Sequence, residues 1–252
     1  MSENRTPYPV RVDADLDPPS RWQWLVKWFL LIPHYVVLLF LWLGFVVVTV
    51  IAFFAILFTG RYPRPLFDFN VGVMRWSWRV NYYGYWALAT DRYPPFTLAD
   101  VPGYPAHLDV TYSERLSRGL LFVKWLLALP HLLVVAIFVG GGLWLGTRAG
   151  TDDAWDNGTS AGVSLVGLLV CIAAIVLLFT GRYPRPIFDF VMGMDRWALR
   201  VGPYVALMTD RYPPFRLDLG GTDPASLPPG PPPPYSPGAP AAAPPPPAAP
   251  MR

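Results

Sequence analysis

Four basic side chains lie inside apolar stretches of this 252-residue chain, at a spacing that repeats. Lys27 and His34 are seven residues apart, as are Lys124 and His131, and each histidine follows a proline. Because an ionisable group inside a bilayer is costly without a partner or a task, these residues are candidates for a proton or ion path. A two-copy bundle would then bring the histidines near a shared axis. The alternatives are that the lysines snorkel while neutral histidines bond across the bundle, or that the histidines lie at the interface.

A second set of candidates lies in a phrase that is written twice, FTGRYPRPLFDF from Phe58 and FTGRYPRPIFDF from Phe179. Gly60 and Gly181 are predicted to end a helix in the left-handed conformation, and the prolines that follow prevent it from continuing. The segment would then turn along a membrane surface, where Tyr62 suits the headgroup layer and basic side chains meet lipid phosphates. The residues predicted to contact anionic headgroups are Arg61, Arg64, Arg75, Arg79, Arg182, Arg185, Arg196 and Arg200.

The composition is that of a membrane protein rather than of a soluble domain. Hydrophobic residues make up 53% of the chain and charged residues only 15%. The eleven tryptophans and thirteen tyrosines fit aromatic belts at bilayer interfaces. The single cysteine, Cys171, excludes an internal disulfide and a multi-cysteine metal site, and is expected to be a buried, inert thiol. No metal and no cofactor is predicted.

The chain is an internal duplication. SRWQWLVKWFLLIPH from Ser20 returns as SRGLLFVKWLLALPH from Ser117, and DRYPPF at Asp91 returns unchanged at Asp210. The repeated phrases are 97 residues apart early in the copies and 121 apart at FTGRYPRP, so the second copy holds a 24-residue insertion. Self-similarity at this period indicates two modules rather than a solenoid. The predicted divisions are residues 1–103, residues 104–219 and a disordered Pro/Ala-rich tail, residues 220–252.

The apolar runs predict an all-α integral membrane protein built from two tandem helical hairpins. The second copy offers two apolar runs around a polar insertion. The first copy has 37 apolar-rich residues from Trp22 to Phe58, roughly 55 Å of helix, which is long for one crossing and short for two. We expect a hairpin with its turn near Gly44, and so about four transmembrane helices; an interfacial helix followed by one span, three in total, is the alternative.

Amphipathic helices and short strands are expected outside the spans. After each FTGRYPRP phrase, apolar residues at helical spacing with interleaved arginines predict a helix lying in the interface. The segments YPVRVD, AHLDVTY and FRLDLG alternate apolar and polar residues, so they form either a small cytoplasmic sheet or simple connectors. Lysine and arginine cluster outside the insertion, which places both termini in the cytoplasm of a multi-pass plasma-membrane protein.

Taken together, VKW…PH, FTGRYPR…FDF, RW…RV and DRYPPF resemble a family of bacterial membrane proteins that share domain of unknown function 4389. The resemblance covers about residues 8–219 and is strongest to actinobacterial versions with two copies and a Pro-rich tail. It implies membrane location and this repeat architecture, and it transfers no activity and no catalytic residue.

Three functional hypotheses follow. The leading one is a non-catalytic membrane module that binds anionic lipid headgroups and assembles with itself or with another membrane protein. The second is a small transporter or channel that uses the histidine and lysine pairs. The third, a membrane enzyme acting on lipid, has least support, because the sequence has no H-E-x-x-H, no P-loop and no G-x-S-x-G. A nucleic-acid partner is not expected, since a bilayer explains the aromatic residues that accompany the basic ones.

Overall fold

The computed structural model describes residues 8–139 and 164–224 of the chain. Within these residues it has five helices and a two-stranded sheet. Their bounds are β1 (Val10–Ala14), α1 (Trp24–Thr59), α2 (Arg64–Tyr83), β2 (Ala106–Val110), α3 (Leu120–Phe138), α4 (Leu165–Thr180) and α5 (Arg185–Val205). The predicted polar insertion and most of the predicted tail lie outside the described residues.

The apolar run of the first copy forms one uninterrupted helix, so the predicted hairpin with a turn near Gly44 is wrong. Gly44 lies inside α1, where a Cβ would stand 3.3 Å from the ring of Phe69 in α2. A single glycine costs a helix only about 1 kcal/mol, which side-chain packing readily outweighs. Pro33 is tolerated as well: it removes the N–H that would bond the carbonyl of Phe29, and the neighbouring carbonyl of Leu30 accepts a hydrogen bond from the hydroxyl of Tyr93 at 3.2 Å.

α1 ends as predicted at Gly60, and α4 ends at the equivalent Gly181. Their φ angles are 71° and 70°, and each glycine N–H donates to the carbonyl four residues earlier at 2.8 Å. The left-handed conformation favours glycine because a Cβ would clash there. The FTG segment therefore ends the preceding apolar helix in the same way in both copies.

The second copy divides the long helix into α3 and α4. Phe138 and Leu165, which bound the break, correspond to Leu41 and Gly44 in α1. The beginning of α3 lies beside the end of α1, since the ring of Phe53 stands 5.9 Å from that of Phe122.

The end of α4 lies at the other end of α1, where Gly181 contacts Arg21. α3 and α4 therefore follow one another along α1, in the opposite direction. The predicted hairpin of the second copy is also wrong, because its two ends lie far apart.

α2 and α5 pack back along the apolar helices and form a middle layer. Both helices are amphipathic, as the sequence predicts. Their buried sides pack on other helices and strands of the protein, whereas a membrane interface was expected. Thirteen of the 20 residues of α2 are buried, because one side contacts α1 and the other contacts β2. α5 packs in the same way on α3, α4 and β1.

The small sheet is confirmed, with β1 and β2 antiparallel and Val12 opposite Leu108 at the centre of the register. FRLDLG forms no strand in the described structure. Alternate residues face the middle layer and are buried: Val10, Val12, Ala14, Ala106, Leu108 and Val110. The alternate positions, among them Arg11 and Asp109, point away from the core, so the outer face of the sheet is polar.

Two arginines reveal an approximate twofold relation between the copies. Arg75 donates from Nε to the carbonyl of Leu108 at 2.9 Å, and its counterpart Arg196 donates to the carbonyl of Val12 at 3.0 Å. Through these arginines, α2 of the first copy bonds β2 of the second, and α5 of the second copy bonds β1 of the first. The axis passes through the Val12–Leu108 pair, and three layers follow along it: the sheet, α2 with α5, and α1 with α3 and α4.

The folded part continues beyond the predicted start of the tail at residue 220. Asp223 is buried and accepts hydrogen bonds from Arg200 at 2.9 Å and from the backbone N–H of Val12 at 3.1 Å. These contacts close the edge of the second module, so the described residues 220–224 belong to the fold.

Candidate functional site

The two intramembrane candidate histidines occupy matching aromatic clusters. His34 stacks on Phe96 with ring centroids 4.0 Å apart, and its Nδ1 accepts a hydrogen bond from Trp76 Nε1–H at 3.1 Å. His131 stacks on Phe215, also at 4.0 Å, and accepts from Trp197 at 3.0 Å. Accepting on Nδ1 fixes the neutral tautomer with its proton on Nε2. Both histidines are fully buried.

The clusters are separate rather than shared. The ring partners of the first are Trp76, Tyr93 and Phe96, and those of the second are Trp197, Tyr212 and Phe215. His34 lies near the start of α1 and His131 near the start of α3, which the antiparallel packing places toward opposite ends of the apolar layer. The expectation that the histidines meet at a shared axis is therefore wrong.

The lysines are buried and paired, so neither of them snorkels. Lys27 Nζ stands 3.0 Å from the carboxylate of Asp91, and it also donates to the carbonyl of Thr90 at 2.6 Å. Lys124 repeats this with Asp210 at 2.6 Å. Asp91 and Asp210 open the two DRYPPF phrases, whose tyrosine and phenylalanine contact the histidines. The identical repetition of DRYPPF was the signal that could have located these partners in the sequence.

Three of the eight predicted headgroup arginines are buried in protein contacts: Arg79, Arg196 and Arg200. Arg79 donates to the carbonyls of Ala99 and Thr97, while Arg200 bonds Asp218 and Asp223. Arg75 donates to the carbonyl of Leu108 in β2 and forms an ion pair with Asp109 at 2.5 Å. Tyr62 is buried too, and burial raises its pKa to about 12. These side chains hold the fold together.

Arginines that lack a carboxylate partner among the described residues gather at each end of α1. At its C-terminal end, Arg61, Arg115 and Arg118 surround Gly60 and line an open cavity of ≈ 430 Å³. Leu116 donates its N–H to the carbonyl of Gly60 at 2.9 Å and so fixes the two segments together. Arg61 belongs to the first copy, whereas Arg115 and Arg118 belong to the second. We refer to these three arginines as cluster A.

The N-terminal end of α1 carries the twofold counterpart. The guanidinium of Arg21 lies so close to Gly181 that a Cβ there would collide with it. Arg182 and Arg185 are exposed beside it, and neither forms an ion pair within the described residues. We refer to Arg21, Arg182 and Arg185 as cluster B. Arg64 differs, since it pairs with Asp68 at 3.5 Å and lies over the ring of Tyr112.

A continuous apolar surface runs between the two clusters. Only a narrow stripe of α1 is buried, at Lys27, Leu31, His34, Leu38, Phe45, Ala52 and Ile56. The rest of its circumference exposes large apolar side chains as far as Phe58, which is 73% exposed, and Trp22, 67% exposed, adds to them just before the helix begins. α3 and α4 continue this surface, and Cys171 lies on α4, exposed rather than buried as expected. We call this surface the apolar face.

The apolar face contains a cleft between α1 and α3. Its volume is ≈ 460 Å³; Trp42 and Val46 line one side, Trp125 and Leu132 the other, and Met74 lies at its base. Two of the helices, α1 and α3, are long and apolar enough to cross a membrane by length and composition. In the described parts of the chain, no group of His, Cys, Asp and Glu side chains could hold a metal ion.

One buried carboxyl has no counterpart in the first copy. Asp195 in α5 is fully buried, and neither of its oxygens has a hydrogen-bond partner among the described residues. Burial raises its pKa well above the usual range. The equivalent position in α2 is Met74, so the twofold relation explains the apolar surroundings but not the carboxyl.

The family model for a domain of unknown function, DUF4389, matches this chain twice, at residues 21–97 and 160–216. Together the two matches cover more than half of the chain. The protein belongs to the DUF4389 family. No curated protein and no solved structure matches it.

The matches follow the architecture. The first DUF4389 match runs from Arg21 through the DRYPPF phrase and so spans all of α1 and α2. The second begins at residue 160 and covers α4 and α5. Both strands lie outside the matched segments. Each strand packs on the amphipathic helix of the other copy, so the strands connect the two matched units.

Proposed function

We propose that this DUF4389 protein is a non-catalytic integral membrane module that binds anionic lipid headgroups at clusters A and B. The observation that carries the proposal is the apolar face with arginines at both ends that have no carboxylate partner among residues 8–139 and 164–224. An apolar surface of this extent on a folded chain favours a membrane or another protein as its cover. Arginine suits lipid phosphate because its planar guanidinium donates several hydrogen bonds in a fixed geometry.

A scaffold role fits the use of the repeated motifs. The polar groups of VKW…PH, RW…RV and DRYPPF bond to one another, to backbone carbonyls or to carboxylates such as those of Asp109 and Asp218. The arginines of FTGRYPRP and of the SR step before α1 and α3 remain exposed. A transporter would need the histidines on a polar path, whereas both are enclosed by aromatic rings. Assembly with a second copy or another membrane protein would use surface outside these clusters.

The test compares lipid selectivity in nanodiscs that contain equal amounts of phosphatidylglycerol and phosphatidylcholine. Arg61→Gln with Arg118→Gln removes two charges from cluster A. Each basic residue near an anionic surface contributes about 1 kcal/mol, so enrichment of the anionic lipid should fall by about 2 kcal/mol, or roughly 30-fold. Native mass spectrometry of co-purified lipid gives the ratio.

The matched control is Arg11→Gln with Arg92→Gln. It removes the same charge next to the strands, where Arg92 contacts Asp17 at 2.9 Å, and should leave the lipid ratio unchanged. Equal lipid ratios in wild type and in the cluster A variant would refute headgroup binding. Soluble glycerol phosphate, added as a competitor, separates recognition of a bilayer lipid from recognition of free phosphate: a free-phosphate site would be competed, and the proposed site would not.

A further inference from the structure

The length of the apolar face is too great for an ordinary crossing. α1 has 36 residues, or about 54 Å at 1.5 Å per residue, and its large apolar side chains are exposed at both ends. The hydrocarbon core of a bilayer is about 30 Å thick. Fitting the whole face into that core would require a tilt of about 55°, beyond the range of about 0–40° that spanning helices adopt.

An exposed ion pair lies level with the middle of α1. Arg75 pairs with Asp109 at 2.5 Å, and the Asp109 side chain is 61% exposed. Ser77, one half-turn along α2, accepts a hydrogen bond from Trp42 Nε1–H, and Trp42 is at the centre of α1. If α1 crossed a bilayer, this charged pair would stand at mid-depth and face hydrocarbon, where ionised groups are most costly.

The twofold axis accounts for both observations in one orientation. It runs from the polar outer face of the sheet, through α2 and α5, to the apolar face. The axis is therefore normal to the apolar face. It is also perpendicular to α1, so the two ends of α1 lie at the same level along the axis. A surface built in this way matches a single membrane interface, because polar and apolar layers are stacked along the axis rather than along the helices.

From these observations we infer that the protein lies within one leaflet, with α1 and the α3–α4 pair parallel to the membrane plane. The apolar face contacts acyl chains, and the sheet lies on the aqueous side. Clusters A and B then meet headgroups of the same leaflet, at the two ends of the face. Acyl-chain ends fill the ≈ 460 Å³ cleft between α1 and α3.

A lipid leaflet is a better cover for the apolar face than a second copy of the chain. Two copies packed face to face would bring the positive ends, with clusters A and B, against clusters of the same sign. Anionic headgroups instead supply the opposite charge at both ends. The inference rests on the proposed membrane function and adds the orientation.

Spin-label depth measurements test the orientation in liposomes of phosphatidylglycerol and phosphatidylcholine. In a Cys171→Ala background, single cysteines replace Leu25, Leu43 and Phe54, which are exposed on one face of α1 near its start, middle and end. Relative collision rates with oxygen and a water-soluble nickel complex report depth. We expect the three positions to give equal depths in hydrocarbon. A depth at Leu43 much greater than at both ends would overturn the inference in favour of a crossing or a hairpin.

A labelling experiment supplies an independent readout. Thr59→Cys and Thr180→Cys, in the same background, place exposed thiols at opposite ends of α1. An impermeant maleimide should reach both from the same side of sealed vesicles. Labelling from opposite sides would overturn the in-plane orientation. If Leu25, Leu43 and Phe54 were all exposed to nickel, or shielded from both reagents, membrane embedding itself would fail, and with it the proposed function.

Discussion

Trp76 hydrogen-bonds His34 at 3.1 Å, and Trp197 repeats the bond to His131 at 3.0 Å. In each copy the bond joins the first apolar helix to the amphipathic helix that packs on it. A phenylalanine from DRYPPF stacks on one face of the imidazole. The histidine is therefore the point at which three motifs of one copy meet, and its polarity is used to order a packed aromatic cluster.

We expect His131→Ala to lower the free energy of unfolding by about 2–4 kcal/mol, because it removes a buried aromatic ring and leaves the Trp197 N–H without an acceptor. Tryptophan fluorescence during denaturation in detergent measures the change. His107→Ala is the control, since its side chain is partly exposed and the change should stay below about 1 kcal/mol. Proton flux in liposomes that disappears in His131→Ala, with stability intact, would favour a transporter instead.

The Lys124–Asp210 pair should behave as a coupled ion pair in which only the lysine is fully buried. Lys124→Met leaves the carboxylate of Asp210, which is 28% exposed, without its cation and should cost about 1–3 kcal/mol, whereas the double variant with Asp210→Asn should recover part of that loss. A double-mutant cycle from the same denaturation measurements gives the coupling energy. Additive losses, with no recovery in the double variant, would show that the two side chains do not interact in the folded protein.

Gly60 and Gly181 should respond alike to substitution, because their backbone angles agree. Gly60→Ala introduces a Cβ at positive φ and should cost about 1–2 kcal/mol in the free energy of unfolding. Gly181→Ala should cost about the same: its Cβ meets the guanidinium of Arg21, but this is the far end of an exposed, flexible side chain that can move aside. Denaturation in detergent, monitored by tryptophan fluorescence, measures both losses. A much larger loss for Gly181→Ala that Arg21→Ala removes would show that Arg21 is held rigidly against Gly181.

Local features were predictable from the sequence, whereas the direction of the chain was not. The left-handed caps at Gly60 and Gly181 follow from a glycine that precedes a segment unable to continue a helix. The family follows from its motifs, which occur twice. The hairpins failed because the length of an apolar run says nothing about whether it reverses. Once α1 is a single helix, the second copy must follow it in the opposite direction for the strands to pair.

The buried arginines show a second limit of prediction from the sequence. Arg75 and Arg79, one turn apart on an amphipathic helix, have the same pattern as a surface that meets lipid phosphates. Their acceptors are backbone carbonyls, and the carbonyl of Leu108 belongs to the strand of the other copy. A carbonyl leaves no residue-type signal in a sequence, so such partners appear only in the fold. The same holds for cluster A, whose arginines come from both copies.

Asp195 predicts a pH dependence whose sign follows from its raised pKa. The folded carboxyl keeps its proton at pH values where the unfolded one, with a pKa of about 3.9, has lost it. Unfolding then releases a proton, so the wild-type protein should lose stability as pH rises above about 4, by as much as about 1.4 kcal/mol per pH unit until the folded-state pKa is reached.

Asp195→Asn removes this slope without adding volume, and Asp195→Met installs the residue of the first copy. Both variants should match wild type near pH 4 and exceed its stability increasingly toward pH 8. Glu114→Gln, an exposed change of the same charge, should keep the wild-type slope, and a wild-type slope in Asp195→Asn would mean that this carboxyl is solvated in the folded protein.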